Sequence, residues 1–143
     1  MDRDEQPRKD SSLEKLAKLK PVYGSPTVTA GNASGLNDGA GAVVLMSEKK
    51  AEALGLEPKM RWVASAVAAV DPTLMGTAPV PATLKALDKA GLAMGDLDII
   101  EINEAFAIVP LYCIKELGID PDRVYLVGQS LGSIMGSLSV AVN

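Results

Sequence analysis

The chain has 143 residues, a net charge of −4, and 48% hydrophobic but only 3% aromatic residues, which predicts a compact domain with an aliphatic core. Its single cysteine and its lack of histidine exclude an internal disulfide, a multi-cysteine zinc site and an imidazole base. No cluster of basic residues lies among aromatic ones, which argues against a nucleic-acid-binding surface.

The chain begins with a predicted helix, an extended segment and a loop. A capping box at residues 11–14 opens the helix, which ends at Pro21 because proline cannot continue the hydrogen-bond ladder. Residues 26–30 favour a strand or extended segment, and the small residues 31–35 favour a loop. The residues expected to face inward from the helix are Leu13, Leu16 and Ala17.

Two apolar strands with a helix between them follow. Residues 42–46 are strongly apolar and predict the first strand. Ser47 is suited to cap a helix that runs through Leu54 and stops at Gly55. Residues 60–70 predict the second strand.

The middle of the chain predicts a loop and a longer helix. Residues 71–72, an Asp-Pro pair, break the preceding strand, and the loop 75–81 delivers Pro81 to the first turn of the helix. The helix is expected to reach about Ala90, to be closed by Gly91, and to turn Leu84 and Leu87 inward.

A strand, a helix and another strand complete the pattern. Residues 97–102 predict the third strand, and Asn103 can cap the next helix, in which Pro110 is expected to cause a kink. Residues 123–127 predict a last strand. The predicted inward stripe of the helix is Ala107, Leu111, Ile114 and Leu117. This alternation predicts an α/β fold, a mixed β-sheet layered with helices.

Asn103 is the first candidate for a functional residue. It lies where a buried strand passes into a helix, in the segment Asn103–Ala107. Its amide can donate a hydrogen bond to a water or to a developing oxyanion. The alternative is that it only caps the helix, and the residues alone favour that role.

Two further segments can contact a ligand. The loop 31–35 has little side-chain bulk, so its backbone can approach a ligand while the Ser34 hydroxyl makes a polar contact. Met75, with the loop 79–81, can form a pliable apolar wall. Structural roles, as a tight turn and as loop packing, remain the alternatives. Cys113 lies among apolar residues and is expected to be a buried, unreactive thiol.

Residues 128–132 match the G-x-S-x-G pattern of a nucleophile elbow, between an apolar strand and a predicted small-residue helix that reaches Asn143. Ser130 would be the nucleophile. A serine of this kind needs a histidine base, which the chain lacks, so Ser130 is not expected to act within this polypeptide.

Taken together, these segments resemble the thiolase family, the acetyl-CoA acetyltransferases and 3-ketoacyl-CoA thiolases. The resemblance covers about residues 4–124. It rests on the order and spacing of Asp4-Glu5 with Arg8, Thr27–Ala40, Val70-Asp71-Pro72, Met75-Gly76-Thr77, Pro79–Ala82 and Asn103–Ala107. It implies a partial thiolase-like fold, with 1–55 as the end of the N-terminal domain and 56–124 as the start of the C-terminal domain.

The resemblance implies an exchange of acyl groups with coenzyme A, whose thioester is the substrate, with no metal and no bound cofactor. By motif, Asn103 would be the oxyanion-hole residue and Ser34 would touch the pantetheine arm. Arg8 would contact the nucleotide end of coenzyme A, and Met75 and Phe106 would line the pantetheine tunnel.

The sequence also departs from the family pattern. Thiolases use two catalytic cysteines and the histidine of a G-H-P motif, and this chain has no counterpart to them. Residues 125–143 are expected to form a divergent strand, elbow and helix, and residues from about 120 onward resemble an α/β-hydrolase or lipase. A junction near residues 120–124, in a chimeric or truncated gene, would explain both observations.

The sequence therefore predicts a thiolase-type acyltransferase segment that is inactive alone. The alternatives are a noncatalytic module that self-associates or joins a complementing thiolase half, and a truncated serine hydrolase at Ser130. No apolar run approaches the roughly 20 residues of a membrane span, and the first residues match neither a signal nor a transit peptide. A cytoplasmic protein is expected, with an organelle matrix as the alternative.

Overall fold

The computed structural model describes residues 8–36, 38–127 and 137–142, which fall into two compact units. The described part of the first unit is 8–36 with 99–127, and that of the second is 38–98 with 137–142. The helices are α1 Leu13–Ala17, α2 Glu48–Ala53, α3 Pro79–Ala90 and α4 Ile108–Leu117. The strands are β1 Arg61–Val67, β2 Ile100–Asn103, β3 Val124–Val127 and β4 Ser137–Val142. Helices interleaved with strands confirm the α/β class.

The second unit is built on an antiparallel pair of strands. β1 and β4 pair from Arg61 with Val142 to Val67 with Ser137, and the register shifts between Trp62 and Ala64. Helix α3 packs against both strands. Its core is small: Ala66 of β1 and Ala86 of α3 are buried together, with partly buried Val63, Leu92 and Leu97 packed around them. Alanine at both contact points lets helix and strand approach closely.

Helix α3 confirms the predicted signals at both of its ends. Pro81 lies in the first turn, as predicted, and the helix begins two residues earlier, at Pro79. A missing N–H costs no helical hydrogen bond at either position. Gly91 ends the helix in the left-handed conformation at φ 68°. The buried face was predicted correctly at Leu87, which is 5% exposed, but wrongly at Leu84, which is 55% exposed. The other buried residues of α3 are Ala82, Thr83 and Ala86.

The first unit is built on a parallel pair. β2 and β3 pair from Ile100 with Val124 to Asn103 with Val127, and α4 contacts β2. The predicted inward stripe of α4 was wrong at Leu111, which is 61% exposed, whereas its other members are partly buried, namely Ala107, Ile114 and Leu117. The buried residues of α4 are Val109, Pro110 and Cys113. The reason for predicting a kink at Pro110 does not apply. Pro110 lies in the first turn of α4, where a backbone N–H would make no hydrogen bond within the helix.

Three predicted elements differ in the structure. Residues 42–46 form no strand, because no other described segment pairs with them, and their side chains are exposed. Residues 26–30 contribute only an isolated bridge, between Pro21 and Thr29. Residues 137–142 were predicted to be helical but form β4, because β1 offers them an unpaired edge.

The N-terminal helix is shorter and less buried than expected. Ser12, rather than Ser11, caps it by accepting a hydrogen bond from the Lys15 N–H at 3.2 Å. None of its residues is buried, and Leu13 is 86% exposed. Within the described residues, no helix is long and apolar enough to cross a membrane.

Replacing Gly91 by alanine tests the left-handed end of α3. An added Cβ at Gly91 would meet no atom within 4 Å, and the same holds at Gly95, but only Gly91 has a positive φ, +68°. We expect Gly91→Ala to lower the free energy of unfolding by about 1 kcal/mol and Gly95→Ala to leave it nearly unchanged. Urea titrations followed by circular dichroism measure both. Equal effects of the two substitutions would contradict a backbone origin.

The buried thiol gives a second prediction. Cys113 is 1% exposed, and this burial raises the pKa of its thiol. We expect native protein to react with iodoacetamide at least about tenfold more slowly than urea-unfolded protein. Because the folded-state pKa is raised, the stability that the buried neutral thiol contributes is complete below the unfolded pKa of about 8.5 and is lost as pH rises through the folded value. Cys113→Ala should remove this alkaline loss. Rapid alkylation of the native thiol would contradict its burial.

Candidate functional site

The candidate site lies where the parallel strands of the first unit end. Asn103 is the last residue of β2 and pairs with Val127, the last residue of β3. In parallel sheets, ligands bind beyond the carboxyl ends of the strands, because the loops that follow the strands gather there. The segment Asn103–Ala107 therefore occupies a place suited to a ligand.

The Asn103 side chain is not used as a helix cap. Helix α4 begins at Ile108, and its N-cap position is Ala107, four residues beyond Asn103. The chain turns sharply between them, since the Ala105 N–H donates to the Asn103 carbonyl at 3.1 Å. Asn103 is exposed, and its amide has no hydrogen-bond partner among the residues that the structure describes. The helix-capping role that the sequence favoured for Asn103 was therefore wrong.

The small-residue loop 31–35 lies against this turn. The Ala107 N–H donates to the Asn32 carbonyl at 2.9 Å, and the Ser34 N–H donates to the Ala105 carbonyl at 3.3 Å. Ala33 and Phe106 form an antiparallel bridge between these bonds. The two segments thus make a short two-stranded ladder, which fixes the loop relative to the end of β2.

Asn32 anchors the loop and was not recognised as important from the sequence. Its Oδ1 accepts from the Thr29 N–H at 2.7 Å, and its Nδ2 donates to the Thr27 carbonyl at 3.0 Å. An asparagine that follows a glycine in a loop is a known signal for such side-chain-to-backbone bonds. The Asn32 side chain therefore restrains the loop, and the Asn32 backbone carbonyl accepts a hydrogen bond from the turn that follows Asn103.

Gly31 allows the loop to pack closely. A Cβ at this position would lie 2.6 Å from Cδ2 of Leu16 and 2.8 Å from Cδ1 of Leu19. A side chain would therefore push against both leucines, so glycine lets the loop lie close to the residues around α1.

Ser34 and Phe106 are both partly buried in this ladder. The Ser34 hydroxyl donates to the Ala105 carbonyl at 3.3 Å, in addition to the bond made by the Ser34 N–H. The structure therefore brings together three of the predicted site residues, Asn103, Ser34 and Phe106, around the Ala105 peptide.

The remaining predicted residues are Met75 and Arg8. Met75 belongs to the second unit, in the 3-10 turn Pro72–Thr77, and is 42% exposed. Asp71 caps that turn by accepting from the Thr73 hydroxyl at 2.5 Å and the Thr73 N–H at 2.8 Å. These donors hold the pKa of Asp71 below its ordinary value. Arg8 is exposed, and its carbonyl accepts from the Ser11 N–H at 3.2 Å.

Cys113 and Ser130 are the two reactive side chains that the sequence singled out. Cys113 is buried within α4, as predicted, and its raised thiol pKa makes it a poor nucleophile. Ser130 and the rest of the predicted elbow lie outside the described residues. Among the described residues, no group of acidic or cysteine side chains is suited to hold a metal ion. The arrangement can thus bind and polarise a carbonyl oxygen, but its segments 31–35 and 103–107 contain no thiol or imidazole.

Comparison with known proteins identifies the chain. The thiolase N-terminal domain family matches residues 1–49, and the thiolase C-terminal domain family matches residues 56–137. The acetyl-CoA acetyltransferase of Pseudomonas aeruginosa is 54% identical over 131 residues, which are 91% of this chain and 33% of that protein. The beta-ketothiolase of Cupriavidus necator is 48% identical over 145 residues, 99% of this chain and 37% of that protein. The chain therefore spans about a third of the length of these relatives.

Solved structures of thiolases also superpose on this chain. The crystal structure of the Bacillus anthracis acetyl-CoA acetyltransferase superposes with a TM-score of 0.82 at 50% identity, over 94% of this chain and 35% of that one. Human mitochondrial 3-ketoacyl-CoA thiolase in complex with CoA also superposes with a TM-score of 0.82, at 44% identity, over 94% of this chain and 34% of that one.

The comparisons do not support the hydrolase-like interpretation of the tail. The thiolase C-terminal domain match continues through residue 137, and the Cupriavidus relative aligns with 99% of the chain. A nucleophile elbow also needs a helix after the turn, whereas residues 137–142 form strand β4. A junction to a hydrolase near residue 120 is therefore not supported. The C-terminal domain match alone spans more than half of the chain, and so the chain belongs to the thiolase family.

Proposed function

We propose that this chain is the coenzyme A-binding and thioester-oxygen-binding segment of a thiolase-type acyl-CoA acyltransferase. One observation carries the proposal: the loop 31–35 is hydrogen-bonded to the turn that follows Asn103, while α4 leaves the Asn103 amide unused. Acyl transfer from a thioester needs donors positioned where negative charge develops on oxygen. An amide at the end of a strand, held by a fixed turn, meets that need.

The proposal assigns roles to five residues. Asn103 donates to the thioester oxygen, Ser34 contacts the pantetheine arm, and Phe106 lines its path. Met75 lines the same path, and Arg8 contacts the nucleotide end of coenzyme A. The first three assignments are supported by the bridge between Ala33 and Phe106 and by the bonds of Ser34 to the Ala105 carbonyl. The assignments of Met75 and Arg8 rest on their sequence motifs, as does the absence of any metal or resident cofactor.

The domain division is part of the proposal. Residues 1–55 are the end of a thiolase N-terminal domain, and residues 56–124 are the start of the C-terminal domain, followed by the tail 125–143. The family matches to 1–49 and 56–137 support a boundary near residue 55. The proposed location is cytoplasmic, and the human mitochondrial relative keeps an organelle matrix as the alternative.

The chain itself is proposed to be inactive in acyl transfer. Thiolysis needs a thiolate that takes the acyl group and a second group that moves a proton. The chain has no histidine, and the pKa of its only thiol, Cys113, is raised by burial. The chain therefore contains the residues proposed to bind the thioester, but it has no side chain suited to attack that thioester.

A second candidate function is a noncatalytic interaction module that associates with itself or with a complementing thiolase half. Exposed apolar side chains favour it: Val43 and Val44 are each 84% exposed, and Leu45 is 72% exposed. Soluble domains rarely leave such side chains in a continuous exposed patch. Sedimentation at increasing concentration tests this candidate, because a species that stays at 14.9 kDa would exclude self-association.

Binding of acetyl-CoA and of free coenzyme A separates the proposed roles. Asn103→Ala removes a donor to the thioester oxygen, which only acetyl-CoA carries. We expect it to weaken acetyl-CoA binding about two- to tenfold, the value of one hydrogen bond, without changing the Kd of coenzyme A. Arg8→Ala is the matched control and should weaken both ligands alike. Isothermal titration calorimetry measures all four changes. Equal loss of both ligands in Asn103→Ala would contradict the assigned role.

Activity measurements test the proposed inactivity. We expect the purified chain to consume no acetoacetyl-CoA in the presence of coenzyme A, because no group is available for the acyl and proton steps. The loss of the enolate absorbance of acetoacetyl-CoA reports the reaction, and the full-length Pseudomonas aeruginosa relative serves as positive control. Any measurable turnover by the purified chain would overturn the proposed inactivity, and Cys113→Ala would then show whether this thiol carries the reaction.

A further inference from the structure

The loop 31–35 begins and ends with glycine, at Gly31 and Gly35. Glycine leaves the backbone freer than any other residue does. Ordering a free loop around a ligand costs conformational entropy, and this cost lowers the affinity for the ligand. A loop of this composition therefore binds well only if other groups restrain it before the ligand arrives.

The Asn32 side chain supplies such a restraint. Its Oδ1 accepts from the Thr29 N–H at 2.7 Å, and its Nδ2 donates to the Thr27 carbonyl at 3.0 Å. The Asn32 N–H also donates to the Thr29 carbonyl at 3.2 Å. The acceptor and the donor of the side-chain amide are thus both used on the backbone that leads into the loop.

The backbone carbonyl of Asn32 carries this restraint to Ser34 and Phe106. It accepts from the Ala107 N–H at 2.9 Å. The N–H and the hydroxyl of Ser34 both donate to the Ala105 carbonyl, each at 3.3 Å. Phe106 lies between these two bonds and is partly buried. A displacement of Asn32 therefore moves the Ser34 hydroxyl relative to the Phe106 ring.

Different bonds hold Asn103. Its backbone is placed by the pairing of β2 with β3, in which it lies opposite Val127. Its carbonyl accepts from the Ala105 N–H at 3.1 Å. Loss of the Asn32 side chain would leave these bonds in place, so its effect should fall on Ser34 and Phe106 rather than on the Asn103 amide.

We propose that Asn32 is a positioning residue for the pantetheine arm of coenzyme A, because it holds Ser34 and Phe106 in place before the ligand binds. This inference rests on the proposed roles of Ser34 and Phe106 and adds the residue on which their placement depends. Asn32 is assigned no contact with the ligand, since both polar atoms of its side chain are bonded within the chain.

Binding of three ligands tests the positioning role. We expect Asn32→Ala to raise the Kd of coenzyme A and that of acetyl-CoA alike, about three- to tenfold, because both carry the pantetheine arm. Adenosine 3′,5′-bisphosphate is the nucleotide end of coenzyme A without this arm, and its Kd should change less than about twofold. Isothermal titration calorimetry measures all three. A loss of the nucleotide as large as that of coenzyme A would overturn the positioning role.

Ser25→Ala is the matched control. The Ser25 Oγ accepts from the Thr27 N–H at 3.3 Å and from the Val28 N–H at 3.2 Å, so it too bonds twice to nearby backbone. Among the described residues, no hydrogen bond joins Ser25 to the turn that follows Asn103. We expect Ser25→Ala to change the Kd of coenzyme A by less than about twofold. Equal weakening by Ser25→Ala and Asn32→Ala would overturn the inference.

A double variant tests whether Asn32 acts through Ser34. Ser34→Ala alone should weaken coenzyme A binding about two- to tenfold, the value of one hydrogen bond. If Asn32 acts by placing Ser34, the variant with both substitutions should bind no more than about twofold more weakly than the weaker single variant. Fold-changes that multiply would show independent contributions and would overturn the inference.

Amide hydrogen exchange of the ligand-free chain reports the displacement itself. Asn32→Ala should speed exchange at the Ala107 and Ser34 N–H groups at least about threefold, because their bonds join the loop to the turn. Exchange in strand β1, which belongs to the second unit, should not change. An unchanged rate at Ala107 would contradict the proposed route.

The outcomes separate this inference from the proposed function. A wild-type chain that binds no coenzyme A overturns both together. Binding that Ser34→Ala weakens and Asn32→Ala does not weaken overturns the positioning role alone and leaves the proposed function standing.

Discussion

The candidate site depends on a pair of backbone hydrogen bonds between segments that are far apart in the sequence. The Ala107 N–H donates to the Asn32 carbonyl, and the Ser34 N–H donates to the Ala105 carbonyl. Ser34 and Ala105 are 71 positions apart. Backbone bonds of this kind depend little on side-chain identity, so the position of the loop is set by small residues that allow the approach and by Asn32, which stiffens the loop.

The residues around this ladder limit the chemical groups that the site can supply. The site offers an amide at Asn103, a hydroxyl at Ser34 and peptide groups, all of which bind or polarise oxygen. None of them is a strong nucleophile or a base at neutral pH. The only thiol of the chain, at Cys113, packs into the core of the first unit, where burial raises its pKa. The described residues around the Ala105 peptide therefore supply hydrogen-bonding groups, and the thiol of the chain lies apart from them in the core.

Burial in the second unit is limited by the residues that form it. Its core centres on two alanines, Ala66 and Ala86, which bury little apolar area each. Larger apolar residues are exposed, among them Trp62 and the segment 42–46. The chain spans about a third of the length of its curated relatives. The exposed apolar segment 42–46 has peptide groups that no described strand pairs with, and such a segment is a surface on which another strand can pair.

The sequence by itself determined the features that depend on neighbouring residues. The capping serine of α2, the glycine end of α3 and strand β1 were all predicted, because caps, turns and short apolar runs follow from local hydrogen bonds and backbone angles. Only the tertiary structure decided which residues of α4 are buried, that 42–46 pairs with no other segment that the structure describes, and that 137–142 joins β1. These outcomes require a partner segment distant in the chain, and no local pattern specifies whether that partner is present.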